Sequence, residues 1–269
     1  MHTWHWQHWQ GLPYLTCSLL SEWPHGFFTQ QFWPRAPETM VAALREQAPV
    51  YRVRQVHGNR VLGADEVALA TRPLDLKTVQ RPEADALVST QPWQAMWVCT
   101  ADCNPVLIAD GRSGHVAAVH AGWRGTAQQV VPQAIRRLQT QGSRLADLRV
   151  AMGPAIAGKM YQVSTPVALE VGRSIVAMDV DEDPDTFLVK VQALTDSPIG
   201  PDPTLGRFRL DVRRANLMQL MHLGIALEQV AIAPHCTYQE PQHFFSYRRS
   251  REKKVQWSGI VSTASPAVA

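Results

Sequence analysis

The stretch CTADCNPVLIADGRSGHVAAVHAGWRG at residues 99–125 contains two short apolar runs, residues 105–109 and 116–120, separated by Asp, Gly, Arg and Ser. Short apolar runs bounded by turn residues are typical of buried strands. The centre of the chain is therefore predicted to be a series of short strands connected by turns. Further runs of the same kind are found at residues 96–100, 149–152 and 230–233.

Helical periodicity alternates with these strands. A helix over residues 211–223 is expected to begin at an Asp N-cap and to end before a glycine. A second helix, for which Thr126 and Gln129 resemble a capping box, contains Pro132, which implies a late start or a kink. A third helix is expected over residues 37–47. Strands and helices mixed along one chain predict an α/β or α+β fold.

The composition is that of an ordinary globular protein, with 269 residues, 45% hydrophobic residues and a net charge of +3. A chain of this length buries enough apolar surface to fold without disulfides or a structural metal. The charge is too small for the basic surface of a nucleic-acid binder. No apolar run approaches the roughly 18 residues of a membrane span. We therefore expect neither a nucleic-acid partner nor a membrane partner.

The cysteines and the N-terminus indicate the compartment. No basic segment followed by an apolar core is present at the N-terminus, so no signal peptide is expected. The four cysteines contain no CxxC pair, and they are Cys17, Cys99, Cys103 and Cys236. This usage favours the cytoplasm, where thiols stay reduced and form no disulfide.

Two segments are expected to lie outside the packed core. Residues 179–206 are rich in Asp, Pro and Gly, which indicates an excursion from the core. Residues 259–269 are small and polar enough to form a frayed tail. Neither segment marks a domain boundary, so we expect a single domain over residues 1–269.

Three residues are the main candidates for chemistry. Cys103 and His120 each lie beside a turn next to a predicted strand, and His57 lies at a glycine-containing turn in QVHGN. Two histidines and one cysteine form a three-ligand set for catalytic zinc, which leaves a fourth position for water or substrate. Cys103 and His120 are equally consistent with a metal-free thiolate–imidazole nucleophile. An inert buried thiol is the ordinary alternative for a lone cysteine.

Two further segments could contact an anion. The basic run that follows the aromatic residues of FFSYRR could direct Arg248 or Arg249 at a phosphate. The GPAI segment at residues 153–156 could present backbone N–H groups to an anion, although an ordinary turn is the better explanation of it. No Walker loop, GxGxxG or GxSxG motif is present.

Six segments together resemble one known family, the YfiH-type proteins, formerly called multicopper polyphenol oxidases or laccase-domain proteins and now described as purine nucleoside phosphorylases. The resemblance covers roughly residues 50–260. Its segments are QVHGNRV at 55–61, ADALVST at 84–90, TADCNPVLI at 100–108, HAGWRG at 120–125, GPAI at 153–156 and CTY to FFSYRR at 236–249.

The resemblance implies both a fold and an activity. Family members have a layered α/β/β/α arrangement of mixed sheets, which makes the α+β class the expected one here. They cleave adenosine, inosine and methylthioadenosine with phosphate, and they also deaminate adenosine. The family's zinc ligands correspond to His57, Cys103 and His120 in this chain. Purine nucleoside and phosphate are therefore the expected small-molecule partners, and Arg248 or Arg249 is expected to contact the phosphate.

The chain departs from the family at two places. The family opens with a T-x-R-x-G-G-V-S loop, whereas this chain has FTQQFW at residues 28–33, without the arginine and the glycines. If that loop helps to bind substrate, its absence alters specificity or activity. Asn104 also replaces the apolar residue that usually lies between the cysteine and the proline.

Three other functions use the same residues. Copper-dependent phenol oxidation is the family's older description, but a multicopper oxidase needs about ten copper ligands, many of them in His-x-His pairs. This chain has 10 histidines, no two of which are separated by one residue. Copper would instead displace zinc at the same three ligands. The remaining alternatives are a metal-free Cys–His hydrolase and a binding protein without turnover.

Overall fold

The computed structural model of the protein describes residues 2–74 and 79–264. The helices in this part of the chain are α1 (Pro37–Met40), α2 (Ala64–Ala70), α3 (Trp123–Ala127), α4 (Val130–Thr140), α5 (Thr165–Arg173), α6 (Pro184–Gln192), α7 (Val212–Leu223) and α8 (Tyr247–Ser250). The strands are β1 (Trp4–Trp9), β2 (Leu12–Cys17), β3 (His25–Phe28), β4 (Val50–Tyr51), β5 (Val61–Gly63), β6 (Arg72–Pro73), β7 (Val79–Gln80), β8 (Ala86–Val88), β9 (Ala95–Thr100), β10 (Asn104–Asp110), β11 (Val116–Ala121), β12 (Leu148–Met152), β13 (Gln162–Ser164), β14 (Ile199–Pro201), β15 (Arg207–Leu210), β16 (Val230–Ile232) and β17 (Gln256–Val261).

Two mixed six-stranded sheets pack against each other. The first has the strand order β1-β2-β3-β17-β9-β4, and the second has the order β16-β12-β10-β11-β8-β5. Between them lies a buried cluster to which the first sheet contributes Phe27 and Met96 and the second contributes Leu87 and Leu107. Burial on both faces explains why the strands of the second sheet are continuous apolar runs in the sequence.

Helices cover the outer faces of both sheets. Ile108 of the second sheet packs in a buried cluster with Ile135 of α4 and Leu220 of α7. On the outer face of the first sheet, Trp97 packs with Met40 of α1. The expected α+β class, with mixed sheets in an α/β/β/α arrangement, is confirmed.

A smaller cluster is formed around a third sheet with the order β13-β15-β14 and around helices α5 and α6. Residues 179–206 supply α6 and β14 to it, and Phe187, Val191 and Ile199 are buried there. This segment therefore packs in a cluster of its own, apart from the clusters of the two large sheets, and its Asp, Pro and Gly content did not predict the helix and strand within it. The apolar residues spaced along α6 explain the difference, because they bury one helix face.

The helix predictions were right in part. The Asp211 side chain accepts a hydrogen bond from the Arg214 backbone N–H at 3.1 Å, as expected of an N-cap, and the helix over 211–223 is confirmed as α7. The helix expected over residues 37–47 is shorter, because α1 ends at Met40 and a single 3-10 turn follows.

The predicted capping box before α4 is wrong. Thr126 belongs to α3, and Gln129 precedes α4 in the left-handed conformation without a side-chain cap. The late start that Pro132 implied is confirmed, because α4 begins at Val130 and the proline falls in its first turn. Backbone N–H groups there have no partner within the helix, so a proline costs little.

The C-terminal region is more ordered than the sequence predicts. Residues 259–261, expected to begin a frayed tail, continue β17, which lies between β3 and β9. Burial of Ile260 and Val261 outweighs the small, polar character of the residues around them. Residues 265–269 of the expected tail lie outside the described part of the chain.

The structure also bears on the state of the cysteines and on membrane-spanning helices. All four cysteines are free thiols. No helix in the described ranges is long and apolar enough to cross a membrane.

Substitution Gly259→Ala should destabilise the fold, because the new Cβ would lie 2.6–2.8 Å from three ring atoms of Trp97. Overpacking of this kind costs about 1–3 kcal/mol. The control is Gly200→Ala, whose new Cβ would have only Arg209 Cβ near it, at 3.7 Å. Urea denaturation should show a clear loss for Gly259→Ala and a change below about 0.5 kcal/mol for the control. Equal stability of the two variants would contradict the packing described here.

Candidate metal centre and its cavity

The hairpin of β10 and β11 brings Cys103 and His120 together. The strands are antiparallel, with Asn104 opposite Ala121 and Pro105 opposite His120. Cys103, one residue before β10, therefore lies at the same end of the sheet as His120. The rings of His57 and His120 are 4.7 Å apart between centroids. One donor atom from each of His57, Cys103 and His120 lies within 4.8 Å of the other two, as the sequence predicts.

A buried carboxylate holds the loop that carries His57. Asp85 Oδ1 accepts a hydrogen bond from the His57 backbone N–H at 2.9 Å, and Asp85 Oδ2 accepts one from the Gly58 N–H at 2.7 Å. His57 has a φ of 62°, a left-handed conformation that is uncommon outside glycine. The hydrogen bonds to Asp85 offset the cost of this conformation.

The same carboxylate orients His120. His120 Nδ1 donates a hydrogen bond to Asp85 Oδ1 at 2.8 Å, and the backbone N–H of His120 donates to the Asp85 carbonyl at 2.7 Å. With its proton on Nδ1, the imidazole leaves Nε2 free to act as a ligand. Burial alone would raise the pKa of Asp85, but the hydrogen bonds from His120 and Gly58 outweigh it and lower this pKa.

Asp85 contacts two of the three candidate ligands, and the sequence did not identify it. It lies in ADALVST, one of the segments that carry the family resemblance, and it is fully buried. The one sign of this role in the sequence is an acidic residue directly before an apolar strand. A carboxylate buried there needs several hydrogen-bond donors around it. The donors come from residues 27 to 35 positions away, so the sequence does not show them.

The thiol and the imidazole favour each other's charged forms. Burial alone would raise the pKa of Cys103, but the charge and hydrogen bond of His120, aided by His57, lower it below the ordinary value. Burial alone would lower the pKa of His120, but Cys103 and Asp85 raise it. Cys99, which lines the same cavity, differs, because burial raises its pKa to about 12. Of the two thiols, Cys103 is the one whose surroundings favour the thiolate.

The donor set and the surrounding backbone fit a metal ion. Two imidazoles and a thiolate suit zinc and leave one position open. A Cβ at Gly122 would lie 2.9 Å from Cys103 Sγ and 3.2 Å from His57 Cδ2, so only glycine leaves the ligands their space. The φ of Gly122 is −72°, which any residue adopts. The requirement for glycine is therefore steric.

The three side chains open into a cavity of about 520 Å³. Trp123 and Tyr161 present aromatic rings to it, and the Arg248 guanidinium lies over the Tyr161 ring at 4.7 Å. Asp102 fixes the position of Arg248, because its carboxylate accepts hydrogen bonds from the Arg248 backbone N–H and the Thr237 hydroxyl, both at 2.7 Å. This volume is in the range that accommodates small organic ligands.

Arg249 has a different environment from Arg248. Its guanidinium donates to the backbone carbonyls of Thr237, Tyr238 and Phe244 at 2.6–2.9 Å, and it does not line the cavity. Of the two arginines expected to contact an anion, the structure places Arg248 at the cavity and Arg249 in a supporting role. Consecutive residues of a short helix point in different directions, which explains the difference.

The GPAI segment and the FTQQFW segment also lie outside the cavity. Within residues 153–156, the Gly153 N–H donates to the Pro105 carbonyl and the Ile156 N–H to the Asp102 carbonyl, so these groups are not available to an anion. In the segment at 28–33, Gln30 donates its N–H to the His243 carbonyl and Trp33 packs edge-on against Phe245. The segment thus supports the chain that precedes α8.

Comparisons with known proteins show the family and the fold of the chain. A family described as multi-copper polyphenol oxidoreductase laccase matches residues 35–262. A purine nucleoside phosphorylase of Synechocystis sp. is 49% identical over 259 residues, which are 96% of this chain and 97% of the relative. Adenosine deaminase RL5, from an unknown prokaryotic organism, is 30% identical over 73% of this chain and 68% of its own length. The crystal structure of YlmD from Geobacillus stearothermophilus shares the fold, with a TM-score of 0.75 and 20% identity over 96% of this chain and 98% of the neighbour.

Substitution Asp85→Asn should weaken metal binding, because the amide no longer attracts the His120 proton and cannot accept from all the N–H groups. Loss of such an outer partner typically costs about 10–100-fold in metal affinity. The control is Asp110→Asn, another buried carboxylate that accepts backbone N–H groups in a turn, here from Arg112 and Ser113. Both variants should lose stability, but competition with a chelator should show weaker zinc binding only for Asp85→Asn. Equal zinc affinities would contradict the role assigned to Asp85.

In metal-free protein at pH 7, iodoacetamide should modify Cys103 faster than Cys99. Both side chains are partly exposed, but the pKa of Cys103 is lowered and that of Cys99 is raised to about 12. Only the thiolate reacts, so the difference in pKa decides the rate. Mass spectrometry of tryptic peptides measures both rates in one sample, and added zinc should protect Cys103. Faster modification of Cys99 would refute this assignment.

Proposed function

Since the chain belongs to the multi-copper polyphenol oxidoreductase laccase family, we propose that it is a zinc-dependent purine nucleoside phosphorylase that acts on adenosine, inosine and methylthioadenosine and also deaminates adenosine. The names of its relatives, purine nucleoside phosphorylase and adenosine deaminase, support an enzyme of purine metabolism. The observation that carries the proposal is the convergence of His57, Cys103 and His120 at a cavity that Arg248 also lines.

In this proposal His57, Cys103 and His120 hold the metal and Asp85 fixes its ligands. A zinc ion held by these residues would supply a Lewis acid. Cys103 contributes a thiolate and His120 contributes Nε2, because its Nδ1 proton is held by Asp85. The low pKa of Cys103 favours metal binding at neutral pH, since the ligand must be deprotonated.

The rest of the cavity binds the two substrates. Arg248 holds the phosphate, and stacking on Tyr161 keeps its guanidinium plane in place. Trp123 and Tyr161 offer aromatic faces on which a purine stacks. Phosphorolysis then needs the phosphate oxygen placed beside C1′ of the nucleoside, and binding both groups in one cavity provides that proximity.

Copper at the same ligands is the alternative metal. Within residues 2–74 and 79–264, His57, Cys103 and His120 form the only group of three or more candidate ligands. This observation favours one metal ion per chain and disfavours a multicopper oxidase. Phenol oxidation, if it occurs, would therefore reflect a single copper ion in the zinc position.

The second candidate function is a metal-free Cys–His hydrolase. Asp85, His120 and Cys103 are connected in the order carboxylate, imidazole and thiol, which is the arrangement of a nucleophilic triad. In this alternative His57 has no direct role in the chemistry. His57 therefore distinguishes the two functions.

Substitution His57→Ala should remove bound zinc and reduce adenosine phosphorolysis at least 100-fold, because two ligands do not retain zinc tightly. His222→Ala, at an exposed position of α7, is the control and should behave as wild type. Zinc per chain is measured by elemental analysis. Formation of adenine and ribose 1-phosphate, or of inosine, is measured by chromatography with and without phosphate.

Full activity of metal-free His57→Ala would exclude the zinc function and favour the hydrolase. Absence of base release from every purine nucleoside tested would refute phosphorolysis.

A further inference from the structure

The mouth of the cavity carries more positive charge than one phosphate requires. Five cationic side chains line the cavity, against the two carboxylates of Asp102 and Glu252. Asp102 is buried and occupied by Thr237 and by the Arg248 backbone. Among the described residues, the only ion pair of this set joins Lys254 to Glu252 at 3.0 Å. The five cations are Arg124, Arg248, Arg251, Lys253 and Lys254.

Aromatic rings, rather than carboxylates, orient most of these cations. Arg251 lies over the Tyr247 ring at 5.7 Å, and Lys254 Nζ lies 5.9 Å from the Phe245 ring. Arg124 lies over its neighbour Trp123 at 4.3 Å. A ring face attracts a cation without using its N–H donors. The donors of Arg124 and Arg251 therefore stay available to an anion that enters the mouth, whereas Lys254 also pairs with Glu252.

The cations fall into an inner and an outer group. Arg248 is partly buried and anchored beside Cys103 through Asp102. Arg251 ends α8 with a φ of 61°, and this left-handed residue turns the chain so that residues 251–255 line the cavity from outside. Arg251 and Lys253 are exposed. Arg248, the inner cation, is sufficient to bind inorganic phosphate. A neutral nucleoside offers no anionic group to the outer cations Arg251 and Lys253.

We propose that the substrates of this site include purine nucleoside 5′-phosphates, whose 5′-phosphate binds Arg251 and Lys253 at the mouth. This inference rests on the proposed phosphorolysis, with the inorganic phosphate held by Arg248. An oxygen of hydrogen phosphate forms a bond to C1′ as the C1′–N9 bond breaks. The proton of hydrogen phosphate passes to the purine. Adenosine 5′-monophosphate and phosphate thus give adenine and ribose 1,5-bisphosphate, with no further reactant.

Calorimetry on the zinc-loaded protein tests binding separately from turnover. Adenosine 5′-monophosphate should bind at least about tenfold more tightly than adenosine at low salt, the scale of a charge-assisted hydrogen bond. The double variant Arg251→Gln and Lys253→Gln should abolish this advantage and leave adenosine affinity within about twofold. Rising salt should reduce the advantage in the wild type, because exposed charges are screened.

The control removes two exposed arginines that do not line the cavity, Arg136 and Arg207, by Arg136→Gln and Arg207→Gln. It changes the net charge equally and should keep the full preference for the monophosphate. Equal affinities for adenosine and its monophosphate in the wild type, or an equal loss in the control, would overturn the proposal.

Turnover of the two compounds, followed as adenine release with phosphate, completes the test. Cleavage of the monophosphate with a lower KM than adenosine supports the proposal. Cleavage of adenosine but not of the monophosphate overturns this inference and leaves the proposed function intact. Cleavage of neither overturns the proposed function, and the substrate class falls with it.

Discussion

The arrangement of the site depends on one buried carboxylate. Asp85 is fully excluded from solvent, and burial of an unpaired charge would be prohibitively costly. It is stable there because backbone N–H groups of the His57 loop and the His120 ring all donate to it. The same contacts that satisfy the carboxylate fix two candidate ligands relative to each other. Stability of the core and geometry of the site are therefore consequences of the same hydrogen bonds.

Much of this architecture could be predicted from local sequence. Apolar runs located the central strands and placed Cys103 and His120 at turns beside them, and the antiparallel pairing of β10 and β11 brings those two residues to one sheet end. Other features depended on contacts distant in sequence. Asp85 takes its donors from a loop before it and a strand after it, and Arg249 finds its carbonyl partners only when the chain folds back. The capping-box pattern at Thr126 failed because a separate short helix used that residue.

The metal-binding and nucleophilic alternatives share an electrostatic basis. A thiolate beside an imidazolium is favoured in the metal-free site, and a thiolate is also what zinc requires. The pKa of Cys103 therefore does not separate the two functions. The left-handed backbone of His57 does not separate them either, because the hydrogen bonds from its loop satisfy Asp85 in both functions. In both, the conformation brings the His57 ring against His120, where it also lowers the pKa of Cys103.

The positive charge around the cavity also depends on which partners its acidic and basic side chains have. Asp102 binds the backbone of α8 with its carboxylate rather than the Arg248 guanidinium, which lines the cavity and donates one hydrogen bond to the Gln162 carbonyl at 2.8 Å. Had Asp102 paired with that guanidinium, the negative charge would have cancelled the attraction for phosphate. Aromatic rings restrict Arg251 and Lys254 at the mouth without neutralising their charge. The cavity is thus positive because five cationic side chains line it against two carboxylates, and neither carboxylate pairs with Arg248 or Arg251.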